Sequence, residues 1–280
     1  MTPPDAAHDT PALPRITGST LLVAGIGDPV AQMRAPAVFN RMFEALNADA
    51  VCIPMHVPPA TLATTMALVR ALPNLIGLSV TIPHKASVIP YLDEISPRAR
   101  QQGVCNAVRR EKDGRLVGDI FDGEGFVGGL AAQGHTVKGA RAWLVGAGGA
   151  GTAISFSLLE HGLAQLTLFD VDRAKAEALA AKLSRHFPGR VMVGADDAPE
   201  FAINATPLGM KPDDPLPFDP RRLPKTTVIA EVIMKPPVTR LLATAEANGQ
   251  TIHHGRHMLD HQVELYAEFL GFRSLPKRSA

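Results

Sequence analysis

The chain has 280 residues, enough for two modest domains, and its 46% hydrophobic and 20% charged content is that of an ordinary globular protein. Its 28 basic and 27 acidic side chains leave a formal charge of +1 with no basic run, which removes any electrostatic case for nucleic acid or an anionic membrane surface. Two cysteines, Cys52 and Cys105, are too few for a disulfide framework or a cysteine zinc site, and no apolar run reaches membrane-spanning length. A cytoplasmic protein is expected.

Residues 1–16 are rich in Pro and Ala, lack the apolar core of a signal peptide and are expected to form a disordered tail. Thr20–Gly27 reads as a buried strand ending in a Gly-Asp-Pro turn. After Pro36 a helix would carry Val38, Met42, Phe43 and Leu46 on one face. A strand at Val51–Pro54, a helix at Thr61–Leu72 and a strand at Leu75–Ile82 follow, the last broken by Pro83. This alternation predicts a parallel α/β sheet. Gly123–Gln133 reads as a helix leaving that unit. Then come a strand at Ala140–Val145, a glycine turn at Gly146–Gly151, a helix at Thr152–Gly162 and a strand at Leu166–Asp170, a complete β-α-β unit. Further strands are expected at Arg190–Val193, Phe201–Asn204 and Thr227–Val232. A closing helix at Met258–Leu270 places Leu259, Val263, Tyr266 and Leu270 on one stripe.

Two segments carry chemistry. SVTIPHK ends at Lys85, and GDIFDG carries Asp122. A lysine and a carboxylate suit the oxidation of a hydroxyl: one takes the alcohol proton, the other holds the ammonium in place, and partial burial is what makes an amine a useful base. The hydride acceptor is suggested by GAGGAG, which fits G-x-G-x-x-G with Gly146, Gly148 and Gly151, and includes Ala147, Gly149 and Ala150. The motif lies between a strand and a helix, so the glycines permit a tight turn, close approach to a pyrophosphate and close helix packing at a helix N-terminus. Asp170 ends the second strand, 24 residues after Gly146, where a carboxylate accepts from an adenosine ribose and repels a 2′-phosphate. Arg173 could reach such a phosphate, but Asp170 and Asp172 oppose it. NAD is therefore expected in preference to NADP.

The sequence resembles the shikimate dehydrogenase family along nearly its whole length after the tail. GIGDPVAQMRAP is similar to the family's G-x-P-x-x-x-S-x-S-P, SVTIPHK to N-V-T-x-P-x-K, VCNAV to A-V-N-T and GDIFDG to D-N-x-D-G. GAGGAG, NATPLGM (Asn204–Met210) and GRHMLDHQ (Gly255–Gln262) follow in the family's order. The resemblance implies a two-domain α/β fold with the active site in the cleft. An α/β substrate and catalytic domain would span 17–122 with 256–280, and a Rossmann NAD(P)-binding domain 123–255. It implies that Lys85 and Asp122 are the catalytic pair, and that Thr81, Asn106 and Gln262 line the substrate pocket. Val232 and Gly255 would lie near the nicotinamide, and Asn204, Thr206 and Met210 would form a turn beside the cofactor. The implied activity is reversible NAD(P)-dependent oxidation of a secondary hydroxyl on shikimate, quinate or a related small cyclic hydroxy acid, as in aromatic amino acid biosynthesis. Expected partners are that small molecule and at most a second copy of the chain.

The departures fall on the substrate side. Met33 and Ala35 stand where the family has two serines, which typically bond the substrate carboxylate. Ser79 and Ile120 replace two asparagines, and Met234 the tyrosine of D-x-x-Y. Lost hydrogen bonds of about 0.5–3 kcal/mol each would weaken shikimate binding unless Gln32 or Arg34 compensates. A ligand-binding homologue without useful turnover is the alternative. His84 is expected to pack, and Cys105 to be a small buried residue. His253, His254, His257 and His261 are expected to be structural, with no metal.

Overall fold

The computed structural model describes residues 16–278. The expected N-terminal tail, apart from Ile16, lies outside the described residues. Two six-stranded sheets organise the molecule. In the first, β1 (Leu21–Gly27, LLVAGIG) is apolar at almost every position, as a central strand covered on both faces must be. After α1 (Ala35–Ala45), β2 (Ala50–His56) pairs with it in parallel, and after α2 (Leu62–Ala71), β3 (Leu75–Val80) pairs along its other edge. Proline at the start of α1 lacks only an N–H that the first turn leaves unpaired.

The chain continues through α3 (His84–Ser87), β4 (Glu94–Ile95), α4 (Pro97–Gln102), β5 (Ala107–Arg110) and β6 (Leu116–Asp119). The strand order is β2-β1-β3-β5-β6-β4. The sequence predicted parallel pairing here, but β5 runs antiparallel to both β3 and β6. Strands β4, β5 and β6 went unread because two to four residues that mix apolar with charged side chains carry no legible period. Phe39, Phe43, Phe121, Tyr266 and Phe272 fill one core cluster of this half, and Ile26, Met66, Leu78 and Val108 another.

α5 (Asp122–Ala132) leads to the second sheet, built from β7 (Arg141–Val145), α6 (Gly149–Glu160), β8 (Gln165–Phe169), α7 (Arg173–Ser184), β9 (Val191–Val193), β10 (Phe201–Asn204), β11 (Val228–Glu231), α8 (Arg240–Ala247) and β12 (Ile252–His253). All its pairings are parallel, in the order β12-β11-β10-β7-β8-β9. Chain order reverses between β7 and β10, the crevice where doubly wound sheets bind ligands. α6 begins at Gly149, inside the glycine motif rather than after it, because Gly148 is extended and serves as its N-cap.

The predicted closing helix is two helices, α9 (Arg256–Asp260) and α10 (Val263–Phe269). His261 and Gln262 interrupt it while staying near helical angles, so the apolar stripe crosses the break without revealing it. The interruption places Gln262 against Asn106 and Asp122. α5 packs against both α6 and α9, and Gly125 makes that approach possible: a Cβ there would strike the Met258 carbonyl oxygen and the Gln262 side chain.

Candidate active site

Lys85 follows β3 on the short α3, and Asp122 opens α5. Their side chains meet as an ion pair, Lys85 Nζ donating to Asp122 Oδ2. The lysine side chain is 12% exposed and the carboxylate 4%, so the pair is nearly dry with its open side on the lysine. Asn106 donates from Nδ2 to Asp122 Oδ1 at 3.0 Å and to Gln262 Oε1 at 3.1 Å. Gln262 Nε2 completes the ring to Asp122 Oδ1 at 3.3 Å. Three donors thus hold a buried carboxylate in its charged-pair geometry, the condition under which burying a charge is tolerable. Asn106 is fixed in turn: its Oδ1 accepts from Phe121 N at 3.0 Å and its carbonyl from the Tyr266 hydroxyl at 2.7 Å.

Tyr266 was read from sequence only as an apolar helix position. Its hydroxyl also lies 3.4 Å from Ser79 Oγ, and burial pushes its ionisation well up, so it serves as a neutral donor. Thr81 lies outside the hydrogen-bonded ring. Its backbone N–H donates to Ile26 O at 2.9 Å and its methyl packs on Gly27, four residues before Lys85.

The glycine loop closes the other side of the site. Gly146 sits at φ +110°, and a Cβ there would meet the Ala205 and Thr206 backbone at 2.8–2.9 Å. A Cβ on Gly151 would strike the Gly146 carbonyl oxygen. At Gly148 the same atom would meet nothing within 4 Å, so this backbone faces open space. The first turn of α6, with Gly149, Ala150 and Gly151, has no side-chain cap, leaving its N–H groups and the helix dipole for an anion. These features fit a pyrophosphate. Lys85 packs its stem against this turn, its Cβ 3.0 Å from where a Gly149 Cβ would be.

Asp170 follows β8 and takes Ala147 N on Oδ2 at 2.8 Å and Asp172 N on Oδ1 at 2.9 Å. Across the crevice, Asn204 Oδ1 accepts from the N–H and hydroxyl of Thr206 at 3.0 and 2.7 Å, and its Nδ2 donates to Leu208 O at 3.0 Å. The Asn204 side chain therefore builds its own turn. Met210 and Val232 are half-buried nearby on the two strand-end segments, and Gly255 packs against the Val232–Ile233 backbone.

The family pattern described as Shikimate dehydrogenase substrate binding domain matches residues 26–108. A shikimate dehydrogenase (NADP(+)) of Symbiobacterium thermophilum is 40% identical over 250 residues, covering 85% of this chain and 84% of that protein. The chain belongs to the shikimate dehydrogenase family. Among solved structures, the 5-ketofructose reductase of Gluconobacter sp. strain CHM43 is 31% identical with a TM-score of 0.78, covering 92% of this chain and 95% of that one. The shikimate 5-dehydrogenase of Listeria monocytogenes, in complex with shikimate and NAD, is 30% identical with a TM-score of 0.79, covering 93% of each.

The positions that depart from the family's motifs sort into distinct environments. Met33 folds its thioether onto Gly25 of β1 and joins the aromatic core, while Ala35 is buried at the start of α1. Gln32 turns back to Pro29 O at 2.6 Å, leaving Arg34, half-buried and at the N-cap of α1, as the cation of this segment. Ile120 packs with Ala99, Val104 and Ala153 of α6, so it belongs to the contact between the two halves. Met234 packs at the margin of the second core.

His84 is buried with Nε2 on Val57 O at 2.5 Å, and burial pushes the Cys105 thiol up to about 12. No group of three metal-ligating side chains occurs among the described residues. His253 is 1% exposed, edge-on to Phe126, with neither ring nitrogen bonded among the described residues. Burial holds it down at about 3, against 6.5 for an ordinary histidine. The unfolded chain therefore binds this proton below pH 6.5 while the native state does not, so stability falls as pH drops from there toward 3. Replacing His253 by Phe should remove on the order of 3 kcal/mol of the stability lost between pH 7 and pH 4. Urea denaturation of both proteins at the two pH values checks this; equal losses would contradict it.

Proposed function

We propose that the chain is an NAD(P)-dependent dehydrogenase that reversibly oxidises a secondary hydroxyl on shikimate, quinate or a related small cyclic hydroxy acid. The observation that carries this reading is the nearly dry Lys85–Asp122 pair, ringed by Asn106 and Gln262 and packed against the glycine loop. The ion pair with Asp122 is the state after proton uptake: Lys85, as the neutral amine, receives the hydroxyl proton at Nζ and becomes the ammonium. Asp122 holds the lysine by charge, and Asn106, Gln262 and Thr81 orient the ring. The glycine turn and the N-terminus of α6 would hold the pyrophosphate, and Asn204, Thr206, Met210, Val232 and Gly255 would border the nicotinamide end. When bound, the dinucleotide accepts the hydride. The same reading divides the chain into a substrate domain of 17–122 with 256–280 and a dinucleotide domain of 123–255. It includes a cytoplasmic location and allows a homodimer; no described helix is long and apolar enough to cross a membrane.

NAD is the proposed dinucleotide, although the curated relatives, the Symbiobacterium protein among them, are named for NADP(+). Asp170 presents a carboxylate beside the loop, and Val171 next to it is 91% exposed and carries no charge. The nearby cations are occupied: Arg173 pairs with Glu177 at 2.7 Å and Lys175 with Asp172 at 3.6 Å. Replacing Asp170 by Asn should shift the ratio of kcat/KM for NAD over NADP toward NADP by about tenfold. An unchanged ratio would count against Asp170 as the discriminating group.

Steady-state assays with shikimate, quinate and a neutral cyclic or ketose polyol, each with both dinucleotides, test the activity. Reduced cofactor is expected with at least one acid. A second reading, a ligand-binding homologue without useful turnover, is favoured by Met33 and Ala35, which offer a carboxylate no hydroxyl. Measurable NAD binding with silence across the panel would support it.

A further inference from the structure

Glu231 is a fully buried carboxylate that the chemistry above does not use. It ends β11, next to Asn204 at the end of β10. Asn204 Nδ2 donates to both its oxygens, at 3.0 and 3.1 Å. Thr239 Oγ1 donates to Oε2 at 3.0 Å, and the N–H groups of Val232 and Ile233 donate to Oε1 at 2.9 and 3.1 Å. Burial pushes its carboxyl up to about 7, against these four donor groups, which favour the charged form. An apolar side chain in this space would leave those donors unpaired and could not gather them from three separate segments at one point.

Each segment borders the cofactor crevice or its support. The Asn204–Thr206 turn lies against Gly146. The Val232–Ile233 backbone is the surface on which Gly255 sits, with their carbonyl carbons 2.6 and 2.7 Å from where a Gly255 Cβ would be. Thr239 also caps α8 through Leu242 N at 3.3 Å. We propose that Glu231 is a positioning residue: it clamps the strand-end turn at Asn204 to the Val232–Ile233 segment and so shapes the wall that receives the nicotinamide end of the dinucleotide. The proposal rests on the dinucleotide reading above.

Calorimetric titration of the full chain with NAD tests it, alongside steady-state kinetics and thermal melting. Glu231→Gln places an amide donor among donors, and its Kd for NAD should rise about 10–100-fold. The KM for the hydroxy acid should stay within about threefold, with kcat at saturation falling less than about fivefold. Thr239→Val, which removes one donor, should raise the Kd about 3–10-fold, and Thr239→Ser should restore it. A cooperatively folded E231Q that binds NAD as the wild type does overturns the proposal. If E231Q does not fold, equal affinities in T239V and T239S overturn it. A wild-type chain that binds no dinucleotide sinks the dinucleotide reading itself, which is a different result from a wild-type binder unaffected by E231Q.

Discussion

Replacing Lys85 by Ala is expected to lower turnover by about 10²–10⁴ while the Kd for NAD stays within about threefold. The size follows from losing the group proposed to take the hydroxyl proton. The small change in Kd follows from geometry: Lys85 meets the glycine loop only through its aliphatic stem, at the first turn of α6, whereas the loop's own shape comes from Gly146 and Gly151. Initial rates at saturating substrate, together with NAD titration, check both parts. A K85A enzyme that turns over at nearly the wild-type rate removes Lys85 from the chemistry.

Asp122→Asn should be costly twice over. It leaves the Lys85 ammonium, with a side chain only 12% exposed, without its counter-charge, and breaking a buried pair costs about 3–5 kcal/mol. Its amide oxygen can keep the Asn106 and Gln262 donors of Oδ1 only by turning the NH2 group onto Lys85 Nζ, itself a donor, so the contact that orients Lys85 is lost and turnover should fall by about 10²–10³. The pairing itself is tested by the double variant Lys85→Met with Asp122→Asn, which has neither charge. Its loss of stability in urea denaturation should fall short of the summed losses of Lys85→Met and Asp122→Asn by about 2 kcal/mol. Strict additivity would mean that the two side chains are not coupled.

The parts of this site legible in the sequence were those whose chemistry is local. β7, the glycine turn, α6 and β8 follow one another without a gap, and the motif's context could be read directly. Lys85 and Asp122 could be named from their segments, but their meeting could not. Asn106 and Gln262 are 156 residues apart in the chain and touch because α9 and α10 break where they do. Only resemblance to a family placed them together. Tyr266 was hidden by its own amphipathic character: one ring packs with Phe39 and Phe121 while its hydroxyl holds Asn106 from 160 residues away. Glu231 is one position of the strand expected at Thr227–Val232, and that run does not announce its partners: Asn204 and Thr239 are brought to it by the fold, and the amides of Val232 and Ile233 join them.

The substrate side tells the opposite story. Met33, Ala35 and Ile120 stood out in the sequence as lost hydrogen-bonding groups, yet they do not act as a set. Ile120 serves the contact with α6, and Met33 is accommodated by Gly25 beneath it. What a sequence registers as one rebuilt pocket is, in space, Met33 and Ala35 packed into the aromatic core, with Arg34 half-buried on the same segment and Ile120 at the contact with α6.

The most direct measurement is a single-turnover comparison of the wild type and K85A with NAD at matched occupancy and shikimate or quinate in excess, following the reduced nicotinamide. The wild type is expected to reduce the cofactor with at least one acid, and K85A to do so at least about 10²-fold more slowly at the same bound NAD. Equal rates in the two proteins would contradict the assignment of Lys85 and Asp122 as the pair that takes up the hydroxyl proton during the oxidation.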